Sequence, residues 1–241
     1  AAATATTTVN KMQSGANVSL ATASGVDLNL DDPTGASDAL DLDLNGGAVT
    51  YTVDATGFEN LTVNTDDATG TSTLALTDPQ LKSITLTQTA DTDQAVDLTN
   101  AGGDPLGTVV ETVDLSGFEA DTQTNGVTVA LNGSAVNGAT VTGSDNDDDI
   151  TGSSQRDTIN AGTGADTVQG GQEDDTIDLG DDEDADTYEF VDTNGEDTIS
   201  NFVTTDDTLD FSNMTGISAT GGTAEEVIDS AAAGDSTAWG D

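Results

Sequence analysis

The chain has 241 residues, of which 46 are Asp or Glu and 3 are Lys or Arg, so its formal net charge is −43. Such a charge repels nucleic acid and anionic membranes, and it opposes a compact state unless cations accompany the chain. Because Cys and His are both absent, the composition excludes disulfides, the usual Zn²⁺ and Cu²⁺ sites, and any Ser/His/Asp or Cys/His catalytic arrangement.

Residues 1–140 are predicted to form short strands separated by Gly, Asp and Asn. Apolar and polar residues alternate with a period of two, which is the signature of a strand with one buried face. The alternation is clearest in segments 26–30, 40–44, 49–53, 61–63, 74–76, 84–86, 96–98, 113–115 and 127–131. In LDLDL (40–44) the Asp side chains are expected on the wet face. A modest helical pattern appears only at 223–233 (TAEEVIDSAAA).

A loose repeat runs through the same region. The phrases GFENLTVNT (57–65), QLKSITLTQT (80–89) and VVETVDLSGFE (109–119) share an apolar residue, a polar pair and then alternating β residues. Aligning Leu61, Ile84 and Val113 gives spacings of 23 and 29 residues, which suit the coils of an irregular β-solenoid. A Thr-rich antiparallel sandwich is the alternative. Aromatic residues make up 3% of the chain, which favours the thin interior of a solenoid.

Four consecutive nine-residue units then occupy residues 143–178. They read GSDNDDDIT, GSSQRDTIN, AGTGADTVQ and GGQEDDTID. The eighth place is always Ile or Val, and the sixth is always Asp, at Asp148, Asp157, Asp166 and Asp175. A polar turn of about six residues followed by a short strand with one buried residue is the unit of a parallel β-roll. The alternative is a metal-free solenoid whose turn Asp residues are merely solvated.

Two such units make one coil, so equivalent residues 18 positions apart are predicted to stack. Asp148 should lie over Asp166, and Asp157 over Asp175, where ionised carboxylates would repel each other. A divalent cation between them removes that repulsion, and Ca²⁺ suits flexible turns built from oxygen ligands. The turn carbonyls would complete the oxygen shell. Glycine and asparagine places permit the left-handed backbone that aims those carbonyls, namely Gly143, Asn146, Gly164 and Gly171.

At these residues the chain resembles the RTX family, the haemolysin-type calcium-binding repeat proteins. The family motif is G-G-x-G-x-D-x-U-x, where U is a large apolar residue. The Asp and U places are kept in all four units, but several glycines are replaced. Gln155 and Glu173 at the fourth place are expected to give strained or differently shaped turns. We therefore expect the pair Asp148/Asp166 to bind Ca²⁺ more strongly than Asp157/Asp175.

A fifth, longer unit follows the array, LGDDEDADTYEF (179–190), with Asp186 at the Asp place and Tyr188 at the apolar place. Residues 196–214 (EDTISNFVTTDDTLDFSNM) are similar to the segment that closes many RTX arrays. The phrases GFENLTV, LKSITLT and VETVDLS resemble the solenoid stretches of RTX-containing bacterial surface-layer proteins. These resemblances imply an all-β fold, a right-handed parallel β-solenoid (1–140) that continues into an RTX β-roll with a closing cap (141–214).

The resemblance also implies a function. It predicts a secreted calcium-binding structural protein that folds on several Ca²⁺ ions and self-assembles into a homo-oligomer or polymer, as a surface-layer-like lattice, filament or biofilm matrix. An RTX adhesin or carbohydrate-binding module, with a cell-surface polysaccharide as partner, is the alternative. An RTX lipase or protease is disfavoured because residues 1–140 contain no nucleophile–base pair. Export is expected through a type I channel, with the tail 215–241 as the candidate secretion signal. No nucleic acid partner and no membrane insertion are expected.

Overall fold

The computed structural model describes residues 7–20, 25–30, 35, 37–45, 50–65, 72–76, 80–88, 96–98, 109–118, 126–131, 137–192 and 195–214. Every regular element in these residues is a β-strand. The strands are β1 (Thr7–Met12), β2 (Ala16–Leu20), β3 (Gly25–Leu30), β4 (Ala39–Leu44), β5 (Thr50–Asp54), β6 (Asn60–Asn64), β7 (Ser72–Leu76), β8 (Ser83–Gln88), β9 (Val96–Leu98), β10 (Thr112–Phe118), β11 (Val127–Ala130), β12 (Thr140–Thr142), β13 (Asp149–Thr151), β14 (Thr158–Asn160), β15 (Thr167–Gln169), β16 (Thr176–Asp178), β17 (Thr187–Val191), β18 (Thr198–Ser200) and β19 (Thr208–Asn213).

The strands form two parallel sheets that face each other. Sheet A contains the ten odd-numbered strands and sheet B the nine even-numbered strands, each in chain order. The chain therefore passes from one sheet to the other at every turn and advances by one strand per coil, which is a β-solenoid. Leu61 lies beside Ile84, and Ile84 beside Val113, so the predicted spacings of 23 and 29 residues are confirmed. The alternative of an antiparallel sandwich is wrong.

The core is the narrow space between the two sheets. In β4 the side chains of Leu40, Leu42 and Leu44 are fully buried, whereas Asp41 and Asp43 point to the other face and are half-buried. This alternation follows from the two-residue period of a strand. Burying one such leucine contributes about 1.5–3 kcal/mol, so each rung of the ladder adds to the stability of the stack.

The buried side chains of the early coils differ in size from those of strands β12 to β16. The coils before residue 120 bury large side chains such as Tyr51, Phe58 and Phe118. In the β-roll, the strands β12 to β16 are only three residues long, and each buries one central aliphatic side chain. A coil with so little apolar contact depends on its turns for stability. The turns are also where the acidic residues lie.

Several sequence predictions lie outside the described residues. They concern the helical pattern at 223–233 and the candidate secretion signal at 215–241, which remain predictions. Among the residues described, we found no helix with the length and apolarity needed to cross a bilayer.

Candidate calcium sites

The turns of the β-roll lie along two edges of the solenoid. First-edge turns lead from sheet B to sheet A, and they comprise 143–148, 161–166, 179–186 and 201–207. Second-edge turns lead from sheet A to sheet B, and they comprise 152–157, 170–175 and the stretch that ends at Asp197. Because the sheets are parallel and in register, equivalent turn residues of successive coils stack along each edge.

The stacked Asp residues form a ladder of hydrogen bonds on the first edge. The main-chain N–H of Asp148 donates to Oδ1 of Asp166 (2.8 Å), and the N–H of Asp166 donates to Oδ1 of Asp186 (2.9 Å). The ladder continues from the N–H of Asp186 to Oδ1 of Asp207 (3.1 Å). The predicted stacking of Asp148 on Asp166 is confirmed, and each carboxylate tethers the preceding turn.

The second edge repeats this arrangement. The N–H of Asp157 donates to Oδ1 of Asp175 (2.8 Å), and the N–H of Asp175 donates to Oδ1 of Asp197 (3.0 Å). At the start of the two ladders, Oδ1 of Asp148 accepts from the N–H of Val127 and Oδ1 of Asp157 from that of Ala139. Oδ1 of every ladder carboxylate thus accepts a hydrogen bond from a main-chain N–H. The turns differ in whether Oδ2 also has a hydrogen-bond donor.

In the first two units a serine occupies the second place, and we call 143–148 and 152–157 the serine turns. Oδ2 of Asp148 accepts from the N–H of Ser144 (2.7 Å) and from its hydroxyl (3.0 Å). Oδ2 of Asp157 accepts from the N–H of Ser153 (2.5 Å), and the Ser153 hydroxyl donates to Oδ1 (3.0 Å). Both carboxylates therefore have protein donors on both oxygens.

In the next two units a glycine occupies the second place, and we call 161–166 and 170–175 the glycine turns. Gly162 and Gly171 adopt φ of +115° and +114°, where side chains are strained. A Cβ on Gly162 would lie 2.0 Å from the carbonyl oxygen of Ser144. Oδ2 of Asp166 and Oδ2 of Asp175 are buried and accept no hydrogen bond from the described residues. A buried carboxylate oxygen without a donor is costly unless a cation lies beside it.

A third such oxygen lies in the longer turn 179–186. Oδ2 of Asp182 is buried without a hydrogen-bond partner among the described residues, while its Oδ1 accepts from the N–H of Asp184 (2.9 Å). The charge of Asp182 raises the pKa of both Asp166 and Asp186, which places it close to the first-edge ladder. Our sequence reasoning missed Asp182. The signal was the extra length of the fifth unit, which adds carboxylates ahead of the regular Asp place.

Burial raises the pKa of these carboxyl groups above their usual range. The pKa of Asp166 rises to about 9, through burial first and then through the charges of Asp148, Asp186 and Asp182. The pKa of Asp175 rises to about 7, again chiefly through burial. That of Asp148 rises only to about 6, because donors from Ser144 and Val127 offset its burial. Charge balance within the glycine turns therefore calls for protons or a bound cation.

The groups that surround these oxygens fit Ca²⁺. The donors are carboxylate and main-chain oxygens, which hard cations prefer. No cluster of three or more Asp or Glu side chains is close enough to hold a metal within the described part of the chain, so an ion here would also need turn carbonyls. Residues that would hold it are Asp166 and Asp182 on the first edge and Asp175 on the second. A bound Ca²⁺ would supply two positive charges next to buried carboxylates.

The remaining predicted ligands divide between the two kinds of turn. Gly164 and Gly171 adopt the expected positive φ, +112° and +114°. The expectation is wrong for Gly143 and Asn146, neither of which has a positive φ. Position 143 instead has no room for a side chain, because a Cβ on Gly143 would lie 1.6 Å from the carbonyl oxygen of Ala161. Asn146 is buried, and its side-chain amide donates to the carbonyl oxygen of Phe118 (3.4 Å).

The strain predicted at the fourth place is found in one turn. Glu173 adopts φ +65°, a left-handed conformation that a side chain disfavours. Gln155 does not have a positive φ, because its N–H donates to the hydroxyl of Ser153 (3.1 Å) and the turn takes another shape. Both outcomes were anticipated from the missing glycines.

Comparison with known proteins identifies the repeats. A family model, the RTX calcium-binding nonapeptide repeat, matches residues 142–177 and 151–185, so the second match reaches into the fifth, longer unit. No curated protein matches the chain, and no solved structure does. The resemblance of the earlier coils to surface-layer proteins stays a prediction. The Asp ladders, the glycine turns and these matches show that residues 142–185 consist of RTX calcium-binding nonapeptide repeats.

Proposed function

We propose that this chain is a secreted calcium-binding structural protein, which folds its β-roll on Ca²⁺ outside the cell and self-assembles end to end into a lattice, filament or matrix. The observation that carries the calcium part is the pair of buried, unpartnered oxygens on Asp166 and Asp175. A β-roll of RTX repeats is typical of structural rather than catalytic proteins. Residues with catalytic chemistry based on His or Cys are absent from the sequence.

Folding on Ca²⁺ follows from linkage. A ligand that binds the native state alone stabilises that state in proportion to the logarithm of its concentration. The glycine turns bring buried carboxylates together only in the folded coil, so the unfolded chain offers no equivalent site. In a low-calcium cytosol the coils that contain the glycine turns would stay unfolded, and in a calcium-rich medium they would fold.

The geometry of the sheets supports assembly through the ends. Within the described residues, β1 pairs with β3 and β19 with β17, so these two strands form the two edges of the described part of sheet A. Such edges are templates for further strands. A second copy that placed its β1 beside β19 would continue sheet A in the same parallel sense. Head-to-tail contacts of this kind generate filaments when the rotation from one copy to the next does not close a ring.

The charge of the chain explains why Ca²⁺ would control this assembly. Two copies with a formal net charge of −43 each repel one another, and monovalent salt screens that repulsion only beyond about 10 Å at 0.1 M. Divalent ions bound in the turns lower the charge of each copy. Calcium would therefore act on folding and on assembly together.

Electron microscopy and light scattering of the purified chain test the proposal. We expect ordered polymers in millimolar Ca²⁺ and monomers in EGTA, with Mg²⁺ at equal ionic strength as the control for screening. Val9→Asp should block polymers, because Val9 is 40% exposed on the end strand β1. Thr62→Asp adds the same charge to β6 in the middle of sheet B and should not. Monomers in all conditions would rule out self-assembly.

A further inference from the structure

We propose that Ser144 and Ser153 take the place of the calcium ion in the two serine turns. These turns would then fold without metal and serve as the template on which the glycine turns close around Ca²⁺. This inference rests on the proposed calcium-dependent folding. It concerns the residues that distinguish the first two units from the next two.

Each serine lies at the centre of its turn. Ser144 and Ser153 are both 1% exposed. The Ser144 hydroxyl lies 3.0 Å from each oxygen of Asp148, and its oxygen accepts from the N–H of Asn146 (3.2 Å). The Ser153 hydroxyl donates to Asp157 and accepts from Gln155 in the same way. The same arrangement of hydrogen bonds occurs on both edges of the solenoid, so it is a property of the repeat unit and not of one turn.

The serine turns also lack the oxygens that an ion needs. Both carboxylate oxygens of Asp148 and of Asp157 already have protein donors. The carbonyl oxygen of Ser144 accepts from the N–H of Thr163 (3.1 Å), and that of Ser153 accepts from Gln172 (3.0 Å). Neither serine has a positive φ. An ion in these turns would have to break existing bonds, whereas in the glycine turns it would meet oxygens without partners.

The far ends of the two ladders are closed in a similar way. Oδ2 of Asp197 accepts from the hydroxyl of Tyr188 (2.6 Å), and Oδ2 of Asp207 accepts from the N–H of Val203 (2.6 Å). Among the described residues of the β-roll, the buried side-chain oxygens without a hydrogen-bond partner belong to Asp166, Asp175 and Asp182. They all lie between these closed ends. At both ends of the array, protein groups donate hydrogen bonds to both oxygens of the ladder carboxylates. On this proposal, only the turns between the two ends require calcium.

A metal-free template addresses the difficulty of starting such an array. A coil with one buried residue per strand has little stability until a neighbour covers it. Coils that include β12, β13 and β14 continue directly from the coils of β8 to β11 and, on this proposal, require no ion. The next coil can therefore dock on an ordered ladder, where Asp166 and Asp175 meet the N–H groups of Asp148 and Asp157.

Hydrogen exchange of the full chain tests the template. In EGTA we expect the amides of 140–160 to be protected and those of 161–190 to exchange rapidly, and we expect Ca²⁺ to protect both. Ser144→Ala with Ser153→Ala should remove the protection of 140–160 in EGTA. Ser154→Ala is the matched control, since its hydroxyl lies in the same turn and forms no bond to a carboxylate in the structure. Equal exchange of the two segments in EGTA, fast or slow, would overturn the inference.

Calcium stoichiometry by titration calorimetry gives an independent measurement. Asp166→Asn with Asp175→Asn should reduce the number of ions bound per chain, whereas Asp148→Asn with Asp157→Asn should leave that number unchanged at saturating Ca²⁺. Ser144→Gly with Ser153→Gly covers the case in which the Asn variants do not fold, and it should increase the number of bound ions. An equal loss in the two Asn pairs would overturn the inference alone. A wild-type chain that binds no Ca²⁺ would overturn the proposed function as well.

Discussion

Ser144 and Gly162 occupy the same place in stacked turns on the first edge, and they give the two Asp residues that follow them different environments. The serine supplies donors to Asp148, while the glycine leaves Oδ2 of Asp166 without one. A residue with a side chain cannot replace Gly162 without strain. Gly162 has φ +115°, and a Cβ at this position would lie too close to the carbonyl oxygen of Ser144. At this scale, the residue at the second place of the turn decides whether the Asp that follows has hydrogen-bond donors on both of its carboxylate oxygens.

Gly162→Ala should therefore destabilise the calcium-loaded protein. The positive φ alone costs about 1–3 kcal/mol for a residue with a side chain, and the close approach to Ser144 adds to that cost. Gly15→Ala is the matched control, because Gly15 has φ +78° but no atom within 4 Å of its Cβ position. Urea unfolding in saturating Ca²⁺ measures both, and an equal loss in the two variants would show that the contact contributes nothing.

The short strands of the β-roll act through single buried side chains. Ile150, Ile159, Val168 and Ile177 are fully buried or nearly so, with polar residues on both sides. Each is covered by the corresponding residue of the coils above and below, as Ile159 is by Val141 and Ile177. Removing one of them opens a cavity shared by three coils. The strand is thus a weak element alone and a stable one in the stack.

Ile159→Ala should cost about 2–5 kcal/mol of unfolding free energy, and Ile159→Val about 0.5–1.5 kcal/mol. Thr158→Ala, on the exposed neighbouring place of β14, should change stability by less than about 0.5 kcal/mol. Because calcium binding is linked to folding, Ile159→Ala should also raise the Ca²⁺ concentration at half-folding, as measured by circular dichroism. If the variant is destabilised but its calcium midpoint is unchanged, packing of the core and calcium binding are not linked.

Across the whole molecule, the dominant electrostatic fact is a large negative charge that is partly buried. Burial raises the pKa of Asp166 to about 9 and that of Asp175 to about 7, from 3.8 in both cases. Groups with a raised folded-state pKa bind more protons in the folded state than in the unfolded state. Protons and calcium ions therefore compete for the same oxygens, and either can relieve the repulsion.

Without calcium, the coils that contain the glycine turns are expected to be unfolded at neutral pH, and they should gain stability as the pH falls. The stabilisation is fully present below about pH 4, near the unfolded pKa, and it is lost as the pH rises through about 7 and 9, the folded pKa values of Asp175 and Asp166. Denaturant unfolding in calcium-free buffers from pH 4 to 9 measures this dependence. In saturating Ca²⁺ the slope should reverse, because protons displace the ion. A calcium-free stability that increases with pH would contradict the assigned burial.

Asp166→Asn provides the control for this pH dependence. The substitution removes the carboxyl group whose pKa is raised to about 9, so the calcium-free slope of stability against pH should flatten. Asp145→Asn removes an exposed acid from the turn 143–148 and should leave that slope in place. A flat profile in both variants would assign the slope to general repulsion rather than to the buried site.

The sequence by itself determined the periodic features. Strand alternation, the spacings from Leu61 to Val113, the Asp ladders and the choice of calcium all follow from local patterns and from residue types, because each coil repeats the same burial. The expected ranking of the pair Asp148/Asp166 above the pair Asp157/Asp175 stays a prediction. Hydrogen bonding in the structure groups Asp148 with Asp157 and Asp166 with Asp175, according to the residue four places earlier.

Only the tertiary structure decided which oxygens lack a donor. The N–H donors to Oδ1 of Asp166 and Asp175 come from the preceding coil, and the hydroxyl donor to Asp197 comes from strand β17. The register of the two sheets brings them close. The position of Asp182 beside the first-edge ladder likewise depends on how the longer turn folds over its neighbour. Hydrogen-bond satisfaction is a property of the stack and not of the repeat, so a repeat motif alone cannot tell a turn that needs calcium from one that does not.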